Sequence, residues 1–339
     1  MDLVEYLHRV ASRQNLSEED AHGAMMAILR GEATTAQIAA FLVALSMKGE
    51  TVDELVGFAR AMREMAERVE AGGSEPLLDT CGTGGDGAGT FNVSTIAAFV
   101  VAGAGVRVAK HGNRSISSAC GSADLMDRLG IKLALSPADV ARAIGEVGIG
   151  FLYAPALHPA VRHAQAARLE LKMRTVFNLL GPLANPAGAT VQLVGAPSEA
   201  AARLMAEALV RLGLERGFVV HGSDGLDEIT TTGPTLVLEV ESGAVRERRV
   251  EPDDFGVPRA RPEDLKGGNA ETNAAIAREI LGGARGPRRD IVIANAAAAL
   301  VAAGKAASFR QGASLAAASI DSGAALAKLL ALADFCARC

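Results

Sequence analysis

The chain has 339 residues, 49% hydrophobic, 22% charged and 4% aromatic, with a formal net charge of -5. That length predicts about two domains, and the composition excludes a disordered, collagen-like or low-complexity chain. The acidic balance excludes nucleic-acid or anionic-lipid binding by bulk surface charge, and a chain without Trp and with two Tyr offers no base-stacking platform, so any anion site must be local.

The first 70 residues read as helices alone. Ser17 with Asp20, Thr34 with Gln37 and Thr51 with Glu54 form potential capping boxes at 17-residue intervals, each offering a side-chain oxygen to an orphan amide three residues on. Apolar residues then follow a helical period, as Ile38, Phe41, Leu42 and Leu45, and as Leu55, Phe58, Ala59, Met62 and Met65. A 34-residue helix pair suggests a tetratricopeptide, but the pattern stops near Val69, so a small helical bundle or dimerisation module is expected.

From residue 76 onward, candidate strands fall at 76–79, 106–110, 150–153, 191–194, 217–221 and 236–239, alternating with helices such as 94–102, 137–146 and 198–212. Such alternation predicts an α/β domain with a mainly parallel central sheet covered by helices on both faces. Ligands of such sheets lie at the carboxyl ends of strands. The apolar stretches 97–106 and 291–303 are too short to span a bilayer, and Asn295 interrupts the second. Cys81, Cys120, Cys336 and Cys339 are too scattered for a disulfide framework, and the first ten residues do not read as a secretory leader, which predicts a reduced, cytoplasmic protein. The abundant alanine reads as general composition.

The sharpest motif runs from Asp79 to Thr95, a glycine-rich turn between strand and helix containing Gly82, Gly84, Gly85, Asp86, Gly87, Gly89, Thr90 and Asn92. Glycines let backbone amides close on phosphate oxygens, and a helix N-terminus adds positive partial charge. Gly82, Gly84 and Gly87 satisfy a dinucleotide fingerprint, but that fold needs an acidic residue at the end of the next strand; here Lys110, His111, Gly112, Asn113 and Arg114 follow. No Gly-Lys-Ser/Thr makes it a Walker loop. A glycine loop and a basic loop (Arg107, Lys110, His111, Arg114) from successive strand ends predict a clamp for a multiply charged anion such as a sugar diphosphate.

Asp227 and Glu228, in the segment 221–230, repel each other unless a cation compensates, and beside a pyrophosphate that cation is usually Mg²⁺. Taken alone, they read as readily as a solvated acidic turn. A third segment carries Arg162, His163, Arg168 and Arg174 around Pro155, His158, Gly181 and Pro182. Such an arginine could pair bidentately with a carboxylate, although an ordinary basic helix is the plainer reading. One close cysteine pair, Cys336 and Cys339, does not make a zinc site, and no nucleophile elbow or triad is evident.

Gly82 to Asp86, Asn92 to Thr95, Lys110 to Arg114, Gly225 to Glu228 and the Phe177-Asn-Leu-Leu-Gly-Pro-Leu run together resemble the anthranilate phosphoribosyltransferase family of tryptophan biosynthesis, within the nucleoside phosphorylase-like phosphoribosyltransferases. The resemblance extends from Gly31 to the Gly286–Asp290 segment and the helix holding Asn295, covering nearly the whole chain. It implies a Mg²⁺-dependent transferase that moves the phosphoribosyl group of phosphoribosyl pyrophosphate (PRPP) to the amine of anthranilate, in a cytoplasmic homodimer formed through the helical domain. It also implies a division into 1–70, with 161–183 returning to it, and an α/β domain of 74–160 and 187–339.

Carried over by motif, the resemblance places PRPP against Gly82, Gly85, Asp86, Thr90, Asn92, Val93, Ser94 and Thr95 on one side. On the other it places Lys110, His111, Gly112, Asn113, Arg114, Ser115, Ile116, Ser117, Ser118 and Ser122. Mg²⁺ would rest on Ser94, Asp227 and Glu228, and anthranilate on Gly82, Asn113, His158, Arg168 and Pro182. Catalysis would be electrostatic, through Lys110 and Arg114, with no covalent attachment to the protein. Two departures stand out: Asn269 where the family often has Asp, and Lys172-Met173 where Gly-Ile or Gly-Val is common. A nucleoside phosphorylase and an inert nucleic-acid-binding homologue are the rival readings, disfavoured by the retained Asp227–Glu228 pair and the net negative charge.

Overall fold

The computed structural model describes residues 2–84, 87–115 and 119–339. Its first part consists of the helices Leu3–Ala11, Glu18–Leu29, Thr35–Lys48 and Val52–Glu64. Thr34/Gln37 and Thr51/Glu54 are reciprocal capping boxes. Ser17 caps one-sidedly: its hydroxyl accepts from Asp20 N–H, while the Asp20 carboxylate is held by the Ser17 hydroxyl at 2.8 Å and by Arg9 at 2.9 Å instead of reaching back to the N-cap. Glu54 is fully buried, accepting from Leu16 N–H, Thr51 N–H and Lys48 Nζ, each at 2.9 Å. Gly57 lets two helices touch: a Cβ there would lie 2.3 Å from the Glu18 carbonyl.

Two mid-chain helices pack onto this bundle, Arg162–Leu171 against Thr35–Lys48 and Phe177–Leu183 against Val52–Glu64. Arg63 ties the junction, its guanidinium donating to the carbonyls of Leu183 at 2.8 Å and Leu212 at 3.2 Å.

The rest is an α/β layer structure around seven strands: β1 (Leu77–Gly82), β2 (Arg107–Gly112), β3 (Ile149–Tyr153), β4 (Val191–Gly195), β5 (Arg216–Gly222), β6 (Thr235–Glu241) and β7 (Ala244–Val250). Their order is β3-β2-β1-β4-β5-β6-β7, parallel through β5 and antiparallel at the β6 and β7 edge. The helical N-terminal part and mainly parallel sheet match the expected class. Sequence reading missed β7 because its Arg-Glu-Arg-Arg centre is solvent-exposed and carries little apolar alternation. It is joined to β6 by a two-residue turn in which Ser242 (φ 52°) and Gly243 (φ 77°) are both left-handed, as tight hairpins require.

Alternation along the strands divides the core. Leu193, Phe218, Val220 and Val237 face one cluster, covered by the helices Val93–Gly103, Pro287–Ala302 and Phe309–Asp321. Val194, Val219, Leu236 and Leu238 face the other, shared with the helical bundle and the helix Glu199–Arg211, as the two-residue period of a strand dictates. Alanine has a structural use here: Ala294 and Ala296 to Ala299 are fully buried, and a Cβ on Gly312 would meet the Ala297 carbonyl at 2.6 Å. Among the described residues no single helix is long and apolar enough to cross a membrane. Strand order reverses between β1 and β4, the place where open α/β sheets open a crevice beyond their strand ends.

Candidate functional site

A cleft of about 500 Å³ opens at that point. One wall is the glycine loop between β1 and the helix Val93–Gly103. The second is the segment after β2, and the third is the acidic turn after β5. The helix Phe177–Leu183 and Arg168 close the fourth side.

The acidic turn is built into the glycine loop. Asp227 is 8% exposed, and its Oδ2 accepts from Gly84 N–H at 2.7 Å. A Cβ at Gly82 would lie 2.4 Å from that oxygen, and one at Gly195 would lie 1.6 Å from the Asp227 carbonyl. Glu228 Oε1 accepts from Ser94 N–H, at the start of the helix, at 3.0 Å. Burial, reinforced by the Asp227 charge, raises the Glu228 carboxyl to about 8. The solvated-turn reading therefore fails: Asp227 is buried, Glu228 is half-buried in the cleft wall, and Asn295, fully buried in the helix Pro287–Ala302, clamps the next residue, Ile229, by its backbone. Asp224 plays no part in the cleft; it accepts from the Thr230 hydroxyl at 2.6 Å and the Thr232 hydroxyl at 2.5 Å.

The basic loop differs from its sequence reading. Arg107 begins β2, about 16 Å up the strand from the loop, and donates to the Ala71 carbonyl. Lys110 is 2% exposed and donates to the Thr80 carbonyl of the neighbouring strand. Beside it lies the first residue of the glycine motif, Asp79, which carried no role in the sequence; its buried carboxylate accepts from His111 N–H at 3.1 Å and Asn185 Nδ2 at 2.8 Å. Burial pushes Asp79 up, opposed chiefly by the Lys110 charge. Arg114 reaches the cleft but is engaged by Asp124 at 2.8 Å and Asp127 at 3.3 Å.

His111 donates from Nδ1 to the Gly181 carbonyl at 3.1 Å, leaving its buried Nε2 without a partner among the described residues. Burial lowers it to about 4 and His158 to about 3. The His158 ring lies behind His111, with centroids 5.3 Å apart, and is not in the cleft wall. Arg168 is: its guanidinium sits 5.0 Å over the Phe177 ring, and burial lowers its pKa.

Gly82, Thr90, Asn92 to Thr95, Lys110 to Ser115, Ser122, Arg168, Pro182, Asp227 and Glu228 are thus brought together. Gly85, Asp86, Ile116, Ser117 and Ser118 lie outside the described residues. Arg174, one of the arginines of the third segment, donates to the Gly84 carbonyl of the glycine loop, and Gly267 and Gly268, to which no site role was given, border the cleft. Only the interruption of an apolar run by Asn295 gave any sequence signal for the supporting groups. Two of the departing residues have a local structural use. Asn269 caps the helix Ala270–Leu281, accepting from Thr272 N–H at 2.9 Å, and Lys172 ends a helix in the left-handed region, with φ 48°, where glycine is common.

Two family models match the chain: "Glycosyl transferase family, helical bundle domain" over residues 4–66 and "Glycosyl transferase family, a/b domain" over residues 74–326. The chain is 66% identical over 338 residues to an anthranilate phosphoribosyltransferase from Solibacter usitatus, covering 99% of each chain. It is 57% identical to one from Moorella thermoacetica, covering 96% of each. Among solved structures it is similar to that of the Thermus thermophilus enzyme, with a TM-score of 0.92, 46% identity and 99% of each chain covered. The Saccharomyces cerevisiae enzyme in complex with PRPP and Mg has a TM-score of 0.91 and 28% identity, covering 99% of this chain and 98% of that one.

Proposed function

Since the chain belongs to the anthranilate phosphoribosyltransferase family, we propose that the cleft between the glycine loop, the basic loop and the helix Phe177–Leu183 is its active site. The reaction is a step of tryptophan biosynthesis, the transfer of phosphoribose from PRPP to anthranilate with release of pyrophosphate. The observation that carries the assignment is the bonding of Asp227 to Gly84 N–H and of Glu228 to Ser94 N–H, which sets two carboxylates against the loop shaped for the pyrophosphate.

Mg²⁺ is the metal, and the donor set fits it: adjacent carboxylates at the cleft wall, one of them raised by burial and then by its neighbour's charge, are hard oxygen ligands. Asp227, Glu228 and Ser94 would hold it, and when bound it supplies Lewis-acid stabilisation to the departing pyrophosphate. Gly82, Gly85, Asp86, Thr90 and Asn92 to Thr95 meet PRPP on one side; Lys110 to Ser118 and Ser122 meet it on the other.

As the bond from the anomeric carbon to the pyrophosphate oxygen breaks, positive charge grows on the ribose and negative charge on the leaving group. Lys110, Arg114 and the loop amides oppose the latter. A carbon–nitrogen bond forms to the amine of anthranilate, which is neutral at pH 7 and sheds one proton, so no strong base is needed. Arg168, stacked on Phe177 and facing the cleft, takes the anthranilate carboxylate, and Asn113, Gly82 and Pro182 aim the ring. His158, packed behind His111, is left out of the anthranilate contacts.

The helical domain comprises 1–70 with 161–183, and the α/β domain 74–160 with 187–339. Met47 (71% exposed) and Leu169 (52%), on helices that pack together, favour a homodimer through the helical domain. Four unbridged cysteines and a charged intracellular substrate favour the cytoplasm. Loss of anthranilate fluorescence on mixing protein, PRPP and Mg²⁺ tests the whole reading. EDTA and the double variant Asp227→Ala/Glu228→Ala must abolish it; consumption surviving both would remove the assigned site.

A further inference from the structure

The segment 266–268, between the edge strands and the helix Ala270–Leu281, carries none of the roles above, yet it is fastened to the glycine loop. Lys266 pairs with Thr90 in a β-bridge, and Gly267 N–H donates to the Gly89 carbonyl at 3.0 Å. A Cβ at Gly267 would lie 2.6 Å from Phe91 N, so the two strips of backbone are in direct contact.

One side chain links this segment to both phosphate-side loops. Asn273 is 1% exposed; its Oδ1 accepts from Gly268 N–H at 2.8 Å and its Nδ2 donates to Asn92 Oδ1 at 3.0 Å. Asn92 in turn donates from Nδ2 to the Cys120 carbonyl at 3.1 Å. Gly268, Asn92 and Cys120 all border the cleft. The polarity of the chain is forced, since a backbone donor stands at one end and a backbone acceptor at the other, so neither amide can turn over without losing a bond. Asn92 does not cap its helix with this side chain.

We propose that Asn273 is a positioning residue for PRPP, holding the glycine loop, the far end of the basic loop and the segment 266–268 in one frame through Asn92; the inference rests on the cleft assignment above. Closing amides on a polyanion requires them to be aimed before it arrives. Loops held in one frame lose less freedom on binding than independent ones. A residue that only satisfied buried backbone would alter stability and leave substrate affinity alone.

The test compares wild type with Asn273→Asp and Asn273→Ala by calorimetric PRPP binding with Mg²⁺, by KM for each substrate and by melting, with Lys110→Ala as a reference for the cleft. Asn273→Asp keeps the acceptor for Gly268 N–H, suits the first turns of a helix and removes the donor to Asn92. Turning Asn92 over to serve the new carboxylate would set its oxygen against the Cys120 carbonyl. We expect the PRPP Kd and KM to rise about five- to twentyfold in both variants, as loss of one or two hydrogen bonds implies. The anthranilate KM should stay within about twofold. An unchanged PRPP Kd in Asn273→Asp, with Lys110→Ala weakened, overturns the proposal alone. An unchanged Kd in Lys110→Ala as well overturns the cleft assignment. If Asn273→Ala unfolds, Asn273→Asp decides; if neither folds, the residue is structural and the proposal falls.

Discussion

Asn295 brackets Ile229: its Oδ1 accepts from the Ile229 N–H and its Nδ2 donates to the Ile229 carbonyl, both at 2.9 Å, from the middle of a helix 66 residues further along the chain. A side-chain amide thereby does what a neighbouring strand would do, satisfying both polar groups of a buried backbone residue directly after Glu228.

Asn295→Leu, of similar volume, leaves both Ile229 groups without partners in a buried site. At about 1–3 kcal/mol for each of the two unsatisfied groups, the expected loss is about 2–6 kcal/mol, read from urea unfolding of the metal-free protein. A loss below about 1 kcal/mol would mean that the acidic turn is held by other contacts.

Gly195 has no room for a methyl group, because its Cβ would fall 1.6 Å from the Asp227 carbonyl. Gly195→Ala must therefore push the Asp227 backbone away from β4. We expect a fold that survives with about 1–3 kcal/mol of strain and a Mg²⁺ requirement shifted to higher concentration. A Mg²⁺ titration of the initial rate identical to wild type would argue against Asp227 as a ligand.

The paired imidazoles predict a pH dependence of stability. Unfolded histidine protonates near 6.5, whereas burial keeps His111 neutral down to about 4 and His158 down to about 3. Between those limits the unfolded chain binds more protons, so the contribution is present above 6.5 and is lost as pH falls towards 4 and then 3. The urea midpoint measured from about pH 7 to 4 should fall less steeply in His158→Gln than in wild type. Parallel curves would place the acid sensitivity in the carboxylates instead.

Lys172, at φ 48°, occupies a conformation that costs an L-residue about 1–2 kcal/mol, partly offset by the chain entropy that glycine loses on folding. Lys172→Gly should be neutral or stabilising by up to about 1 kcal/mol in thermal melts, without change in kcat. A clear destabilisation would show that the lysine side chain contributes a contact of its own.

Much of the fold is written locally. Caps such as Thr34 and Thr51 and the apolar strand cores depend on residues within one or two turns of each other, and all six expected strands are present. Where local chemistry was ambiguous, reading along the chain went astray. Arg107 counted as part of a basic loop although it begins the strand, β7 was hidden by its charges, and buried alanines passed for composition.

The sequence by itself determined the parts of the site: a glycine turn, a basic segment, an acidic pair and an arginine near a Gly-Pro pocket, each defined by residue types a few positions apart. Only the tertiary structure decided how they join. Asp227 meets Gly84 across 143 residues, Asn273 meets Asn92 across 181, and Asn185 meets Asp79 across 106. These bonds exist because the sheet places β1 between β2 and β4 and beds the C-terminal helices on one face. Hydrogen-bond partners are set by proximity in space, and no spacing within a single segment encodes a pairing between segments whose adjacency arises only when the whole sheet closes.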